Sequence, residues 1–243
     1  MLSSLGNINS INKYKSSGSG LATIIGNTTN NLNGRVKFAN FSTTSTSNIY
    51  GYVPTTATVS NLSVQNSILP SISSSAQITN TIVCVSSTRG QVKTGTFTFN
   101  SANGLTICCW IYPLTPFSGS DIKVFEGDQS ESMLLWQGSN SYNFNFNNAT
   151  NFTLGANAWY HITCVMNRSS ASQTVYVNGA FRNSSSGITG FPTSGTSISA
   201  NGISIGCSLS TSHKPYNGYI TDYRLYDRQL TATEIYSIYM GYT

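Results

Sequence analysis

Charge is what this sequence has least of. Charged side chains make up 8% of its 243 residues, too few to clothe the outer faces of long surface helices. The Ser, Thr, Asn and Gly that replace them favour strands and turns. The 12 Lys and Arg against 7 Asp and Glu leave a net charge of +5, but they form no run. A continuous cationic track for a phosphate backbone is therefore missing, and nucleic acid is not an expected partner. Nor is there an apolar run near the roughly 20 residues of a membrane span. The first twenty residues lack the cationic start and apolar stretch of a secretory signal, which predicts a chain made in the cytoplasm.

Metal and thiol motifs are also lacking. The five cysteines, Cys84, Cys108, Cys109, Cys164 and Cys207, contain no Cys-x-x-Cys spacing, and the two histidines, His161 and His213, are too few to complete a zinc site. An odd number of cysteines cannot all pair within one chain. Four of them sit in apolar, strand-like runs where cysteine behaves as a small buried hydrophobe, so a reducing compartment is expected. A bridge from Cys108 or Cys109 to Cys164 or Cys207 across facing strands stays open at this point. No Gly-x-Ser-x-Gly nucleophile elbow occurs.

What is present is β-sheet. Residues 1–57 are rich in Ser, Asn, Gly and Thr, with short apolar islands at Leu21–Ile25 and Val36–Phe41. Such a segment cannot bury enough apolar surface to fold alone, which predicts an extended arm ordered by what it lies against. From residue 58 onward, short apolar runs alternate with turn signals about every ten residues, the pattern of a two-layer sandwich of residues 58–243. Leu105–Tyr112 reads as a central strand stopped by Pro113. Tyr142, Phe144 and Phe146 alternate with asparagines, giving one buried and one wet face. Asn178-Gly179 is a two-residue hairpin turn inside Thr174–Phe181. Near the end, Thr231 as N-cap, Glu234 as its capping-box partner, and Leu230 with Ile235 as a hydrophobic staple start one short helix that ends near Gly241.

The order Leu105-Thr-Ile-x-x-Trp110-Ile-x-Pro113, Trp159-Tyr-His161-Ile, Val175-Tyr-Val-Asn178-Gly179, Ile205-Gly206 and Tyr216-Asn-Gly218-Tyr-Ile-x-Asp222-x-Arg224-Leu-Tyr226, leading into Leu230-Thr-x-x-Glu234-Ile235, resembles the laminin G-like, concanavalin A-like lectin/glucanase superfamily. The likeness covers about residues 80–243. It implies an all-β fold, an antiparallel two-sheet jelly roll, on a chassis shared by sugar binders, adhesion modules and some glycosidases. Through it, Trp110, Trp159 and His161 take structural roles. Asp222 and Arg224, two apart on one strand, are expected to share a face and pin it to the final helix or a loop.

Fold does not decide function, so the chemistry is weighed separately. Glycosidases need two carboxyl groups flanking the scissile bond, about 5 Å apart in retaining enzymes. Glu126, Asp128 and Glu131 are the only close acids, and Gly127 suggests a solvated turn. Catalysis by a glycoside hydrolase or polysaccharide lyase is thus the least favoured reading, and no catalytic residue is assigned. Asp121, Glu126 and Asp128 are the candidate oxygen ligands if Ca²⁺ binds, as it does in some relatives of the fold; no other cofactor is implied. Sugar recognition needs aromatic platforms beside amides, and Trp136, Tyr142, Asn143, Tyr216 and Asn217 supply that chemistry, with Tyr219 and Asn140. The expectation is a non-enzymatic, lectin-like structural or recognition module. Its first setting is a virion, as a minor capsid, spike or fibre protein docked on other subunits through the arm. The alternative is a free lectin at a cell surface or outside the cell.

Overall fold

Apolar residues recur at every second position along Leu105–Ile111 and Ile162–Met166, so each segment has one face that must be covered. The computed structural model describes residues 104–114, 122–127, 135–138, 142–147, 150–188, 203–208, 214–226 and 228–240, together with the backbone of the shorter strands at 32–36, 46–49, 55–60, 63–65, 81–84, 91–94, 97–99 and 198–200. In chain order the strands are β1 (Leu32–Val36), β2 (Thr46–Ile49), β3 (Thr55–Ser60), β4 (Ser63–Gln65), β5 (Thr81–Cys84), β6 (Gln91–Thr94), β7 (Phe97–Phe99), β8 (Leu105–Pro113), β9 (Ile122–Gly127) and β10 (Leu135–Gln137). They continue with β11 (Asn143–Phe146), β12 (Thr150–Thr153), β13 (Tyr160–Asn167), β14 (Ser172–Val177), β15 (Ala180–Ser186), β16 (Ile198–Ala200), β17 (Ile203–Ile205), β18 (Lys214–Pro215) and β19 (Gly218–Tyr226), before the helix α1 (Ala232–Tyr239).

Two large sheets result. The first runs β15-β14-β13-β8-β19-β5-β4, with β1 also paired to β19; the second runs β12-β11-β10-β9-β17-β6-β3-β2, with β18 beside β9. Pairing is antiparallel except between β18 and β9. This is the expected all-β jelly-roll sandwich with one short helix. Strands β1 and β2 fall inside residues 1–57, and both are hydrogen-bonded into the sheets, to β19 and β3.

The core lies between the sheets. Leu105, Ile107, Cys109 and Ile111 of β8, with Ile162, Cys164 and Met166 of β13, face Val124, Phe125, Leu135, Phe144 and Phe146 from the second sheet. Each of these Leu, Ile, Val, Phe and Met side chains contributes about 1.5–3 kcal/mol on burial. Gln173 ties the layers together, its Nε2 donating to the Phe146 carbonyl at 2.7 Å and to Thr150 Oγ1 at 2.8 Å. The four described cysteines, Cys108, Cys109, Cys164 and Cys207, are buried and form no disulfide with one another.

Simple alternation fails on the central strand β19. The β8–β19 register slips between Thr221 and Arg224, and Asp222 adopts a left-handed φ of 51°. Aspartate tolerates that conformation better than most residues. The extra residue is a β-bulge: Ile220 and Tyr223, three apart, both reach the core, while Arg224 turns back towards Asp222.

Helix α1 lies across the outside of the first sheet. Ile235 and Ile238 pack on Cys108, Val165 and Tyr226, joined by Leu230. Thr231 Oγ1 accepts from the Glu234 N–H, and Glu234 Oε2 accepts from the Thr231 N–H at 2.8 Å, a complete capping box. Arg228 holds the same carboxylate at 2.7 Å. With Thr231 these contacts draw Glu234 down to a pKa of about 2, the Arg228 hydrogen bond contributing most.

Candidate functional site

On the second sheet, the face turned away from the core carries a row of polar and aromatic side chains. Phe144 and Phe146 point inward, so Asn145 between them points outward. Asn145 pairs across to Trp136 of β10, and Trp136 pairs on to Lys123 of β9. Directly cross-strand residues share a face with Cβ atoms about 5 Å apart, so an amide, an indole and an amine stand side by side. Two further rungs extend the row along β11 and β12. Asn145 Nδ2 donates to Asn151 Oδ1 at 2.6 Å, and Thr153 Oγ1 donates to Asn143 Oδ1 at 2.8 Å. Trp136 is half-buried and Asn143 exposed, but Lys123 and Asn145 are recessed, at 2% and 7% exposure. The Asn145 Oδ1 atom is buried without a hydrogen-bond partner.

This places the five sugar-binding candidates in different surroundings. Trp136 and Asn143 share the row. Tyr142 precedes β11 and by alternation takes the side of Phe144. Tyr216 is a correction: its side chain is fully buried in the core between the sheets, so it offers no ring for stacking. Asn217 lies at the β18–β19 junction, where its carbonyl accepts from the Leu114 N–H at 3.0 Å. The sequence reading missed Lys123 and Asn145. Period-two alternation would have put Asn145 beside Asn143, whereas the neighbour of Lys123 is set by the β9–β10 register.

Among the metal candidates, Asp121 and Asp128 lie outside the described residues, as do Glu131, Asn140 and His213. Glu126 is no solvated turn residue. It sits in β9, buried, and its Oε2 accepts from Ser208 Oγ at 2.6 Å. Among the described residues, no three His, Cys, Asp or Glu side chains are grouped to hold a metal ion. The described carboxylates are also scattered: Glu126 in β9, Asp222 in β19 and Glu234 in α1.

The outer face of the first sheet is held by the structural residues. Arg224 Nη2 bonds Asp222 Oδ2 at 2.7 Å, both side chains being buried. His161, buried beside this pair, has its ring 5.2 Å from that of Trp110 and 6.2 Å from Tyr239 of α1. Burial, and then the Arg224 charge, lower the His161 pKa to about 3 against the opposing pull of Asp222. The imidazole is therefore neutral near pH 7. Asn178 closes the β14–β15 turn with φ 53° and accepts the His161 N–H on Oδ1 at 2.9 Å, while Gly179 follows at φ 76°. Farther along the same face, the rings of Tyr112, Trp159 and Tyr219 gather within 6.4 Å of one another.

Two apposed sheets of this order, a short capped helix on one and an amide–aromatic row on the other, define a lectin-like jelly-roll module. A family model described as the concanavalin A-like lectin/glucanases superfamily matches residues 86–236. The chain belongs to that superfamily. No curated protein sequence matches the chain. Among solved structures it is similar to the binding domain of botulinum neurotoxin serotype D/C, at 13% identity and TM-score 0.60, covering 88% of this chain and 52% of that one. The serotype G binding domain is similar at 15% identity and TM-score 0.55, covering 80% and 48%. The chain thus spans about half the length of these toxin domains. Domain 4 of AbnA, a GH43 extracellular arabinanase from Geobacillus stearothermophilus in complex with arabinotriose, is similar at 15% identity and TM-score 0.52, covering 76% of this chain and 87% of that one. At these identities the likeness shows the fold. No helix among the described residues is long and apolar enough to cross a membrane.

Proposed function

We propose that this chain is a non-catalytic glycan-recognition module and that it is carried on a virion, as a minor capsid, spike or fibre component. The observation that carries the glycan reading is the outward row in which Trp136 stands between Asn145 and Lys123, continued by Asn143, Thr153 and Asn151. A sugar ring has an apolar face for an indole and hydroxyl groups for amides, and this row offers both. The domain similar to this chain that was solved with arabinotriose supports the same reading. It equally favours a second setting, a free lectin at a cell surface or outside the cell.

The non-catalytic reading rests on the described acids. Asp222 is bonded to Arg224, Glu234 to Arg228, and Glu126 to Ser208. Acid–base hydrolysis needs two carboxyl groups flanking one bond, and these three occupy separate elements. The virion setting rests on a chain of few charges whose first 57 residues are rich in Ser, Thr and Asn, the composition of a segment ordered by what it lies against.

Binding of the full chain to an oligosaccharide array tests the glycan reading. Trp136→Ala is expected to weaken the best ligand about tenfold, the scale of one aromatic contact worth about 1.5 kcal/mol. Silence across a broad array, or binding indifferent to this substitution, overturns it.

A further inference from the structure

We infer that the row Asn145–Trp136–Lys123 is a subsite for an acidic saccharide, one whose ring carries a carboxylate. The inference rests on the glycan reading of that face and adds the class of sugar. Lys123 is almost fully buried on the outward side of β9, and among the described residues no carboxylate pairs with it. Holding a cation out of water without a counter-charge is costly. Glu126, the described acid of the same strand, is engaged by Ser208 Oγ. An anion arriving from outside supplies a charge that none of the described carboxylates gives it.

The rest of the row fits the same ligand. Trp136, next to Lys123 across the β9–β10 pair, gives a ring face on which a pyranose stacks. Asn145, next to Trp136 on the other side, keeps a buried Oδ1 acceptor with no partner, its Nδ2 being spent on Asn151. A buried acceptor left open is expensive unless a donor meets it, and a sugar hydroxyl is such a donor. Acceptor, stacking surface and cation thus follow each other at strand spacing, about 5 Å apiece. That order matches a sugar ring with a hydroxyl at one end and a carboxylate at the other. The net charge of +5 points the same way, towards acidic rather than neutral partners.

The test uses the full chain with two acidic probes, an oligogalacturonide and sialyllactose, each titrated beside its neutral counterpart, the methyl-esterified oligogalacturonide and lactose. The chain is expected to prefer at least one acidic probe by about tenfold at low salt, the scale of a hydrogen-bonded charge. Lys123→Met, which keeps the stem packing, removes the preference by weakening the acidic ligand about tenfold more than its neutral counterpart; Lys123→Arg restores it; Trp136→Ala weakens both forms. Equal binding of acidic and neutral probes, or a preference that survives Lys123→Met, overturns the inference and leaves the glycan reading standing. Binding of no saccharide on a broad array by a chain whose circular dichroism shows the folded sandwich overturns both.

Discussion

His161 packs against the rings of Trp110 and Tyr239, feels the charges of both Arg224 and Asp222, and has its own backbone N–H taken by Asn178. Its pKa falls from 6.5 to about 3, chiefly through burial. The unfolded chain therefore takes up a proton near pH 6.5 that the folded chain refuses, and stability is lost as pH falls from there towards 3. Glu234 loses stability in the same direction, but only below its unfolded value of 4.5 and down to about 2. Between about pH 6.5 and 4.5 the His161 contribution is thus separated from that of Glu234. Urea denaturation across that window is expected to approach a slope of about 1.4 kcal/mol per pH unit from this one group. His161→Gln should flatten that slope, and an unchanged slope would show that the imidazole ionises freely in the folded chain.

At the scale of elements, the hairpin β14–β15 and the helix α1 depend on one another. Gly179 holds φ 76°, and a Cβ placed there meets Tyr236 Cδ2 at 2.9 Å and Tyr239 Cδ1 at 3.1 Å. Gly179→Ala is expected to cost more than about 1–2 kcal/mol, the left-handed penalty for a residue with a side chain, because the steric part adds to it. Adding Tyr236→Ala should recover the part of the steric share due to the Tyr236 ring and leave the Tyr239 contact and the backbone share, as read from denaturation midpoints. The turn was legible in the sequence because Asn-Gly meets a demand for two positive φ values in a row. The capping box and staple at Leu230–Ile235 were legible for the same local reason. The bulge at Asp222 was not. Reading Asp222 and Arg224 as an ordinary i, i+2 pair reached the right pairing, but the strand carries an extra residue that resets which side chains face inward. Nothing local announces such an insertion, since it is the partner strand β8 that defines the register.

Over the whole molecule, the N-terminal stretch raises the question of assembly. Strands β1 and β2 are part of the sheets, so a truncation that spares the described strands removes residues 1–31 only. If this stretch docks the module on a larger particle, the truncated protein should keep its melting temperature and fail to incorporate; incorporation at the full level would remove docking through this stretch, and failure of the full-length chain to incorporate would remove the virion reading.

The amino-acid order alone determined the all-β class, the central strands, the hairpin turn and the capped helix, because each depends on alternation or on backbone angles set within a few residues. It also determined that Trp136 and Asn143 are the kinds of side chain a sugar requires. Only the tertiary structure decided that Tyr216 is spent in the core, that Glu126 is a buried strand residue, and that Lys123 comes to lie beside Trp136 and Asn145. These outcomes turn on which strands become neighbours and in what register. Pairing between distant segments is fixed by the closing of two sheets over one core, and no local pattern encodes it.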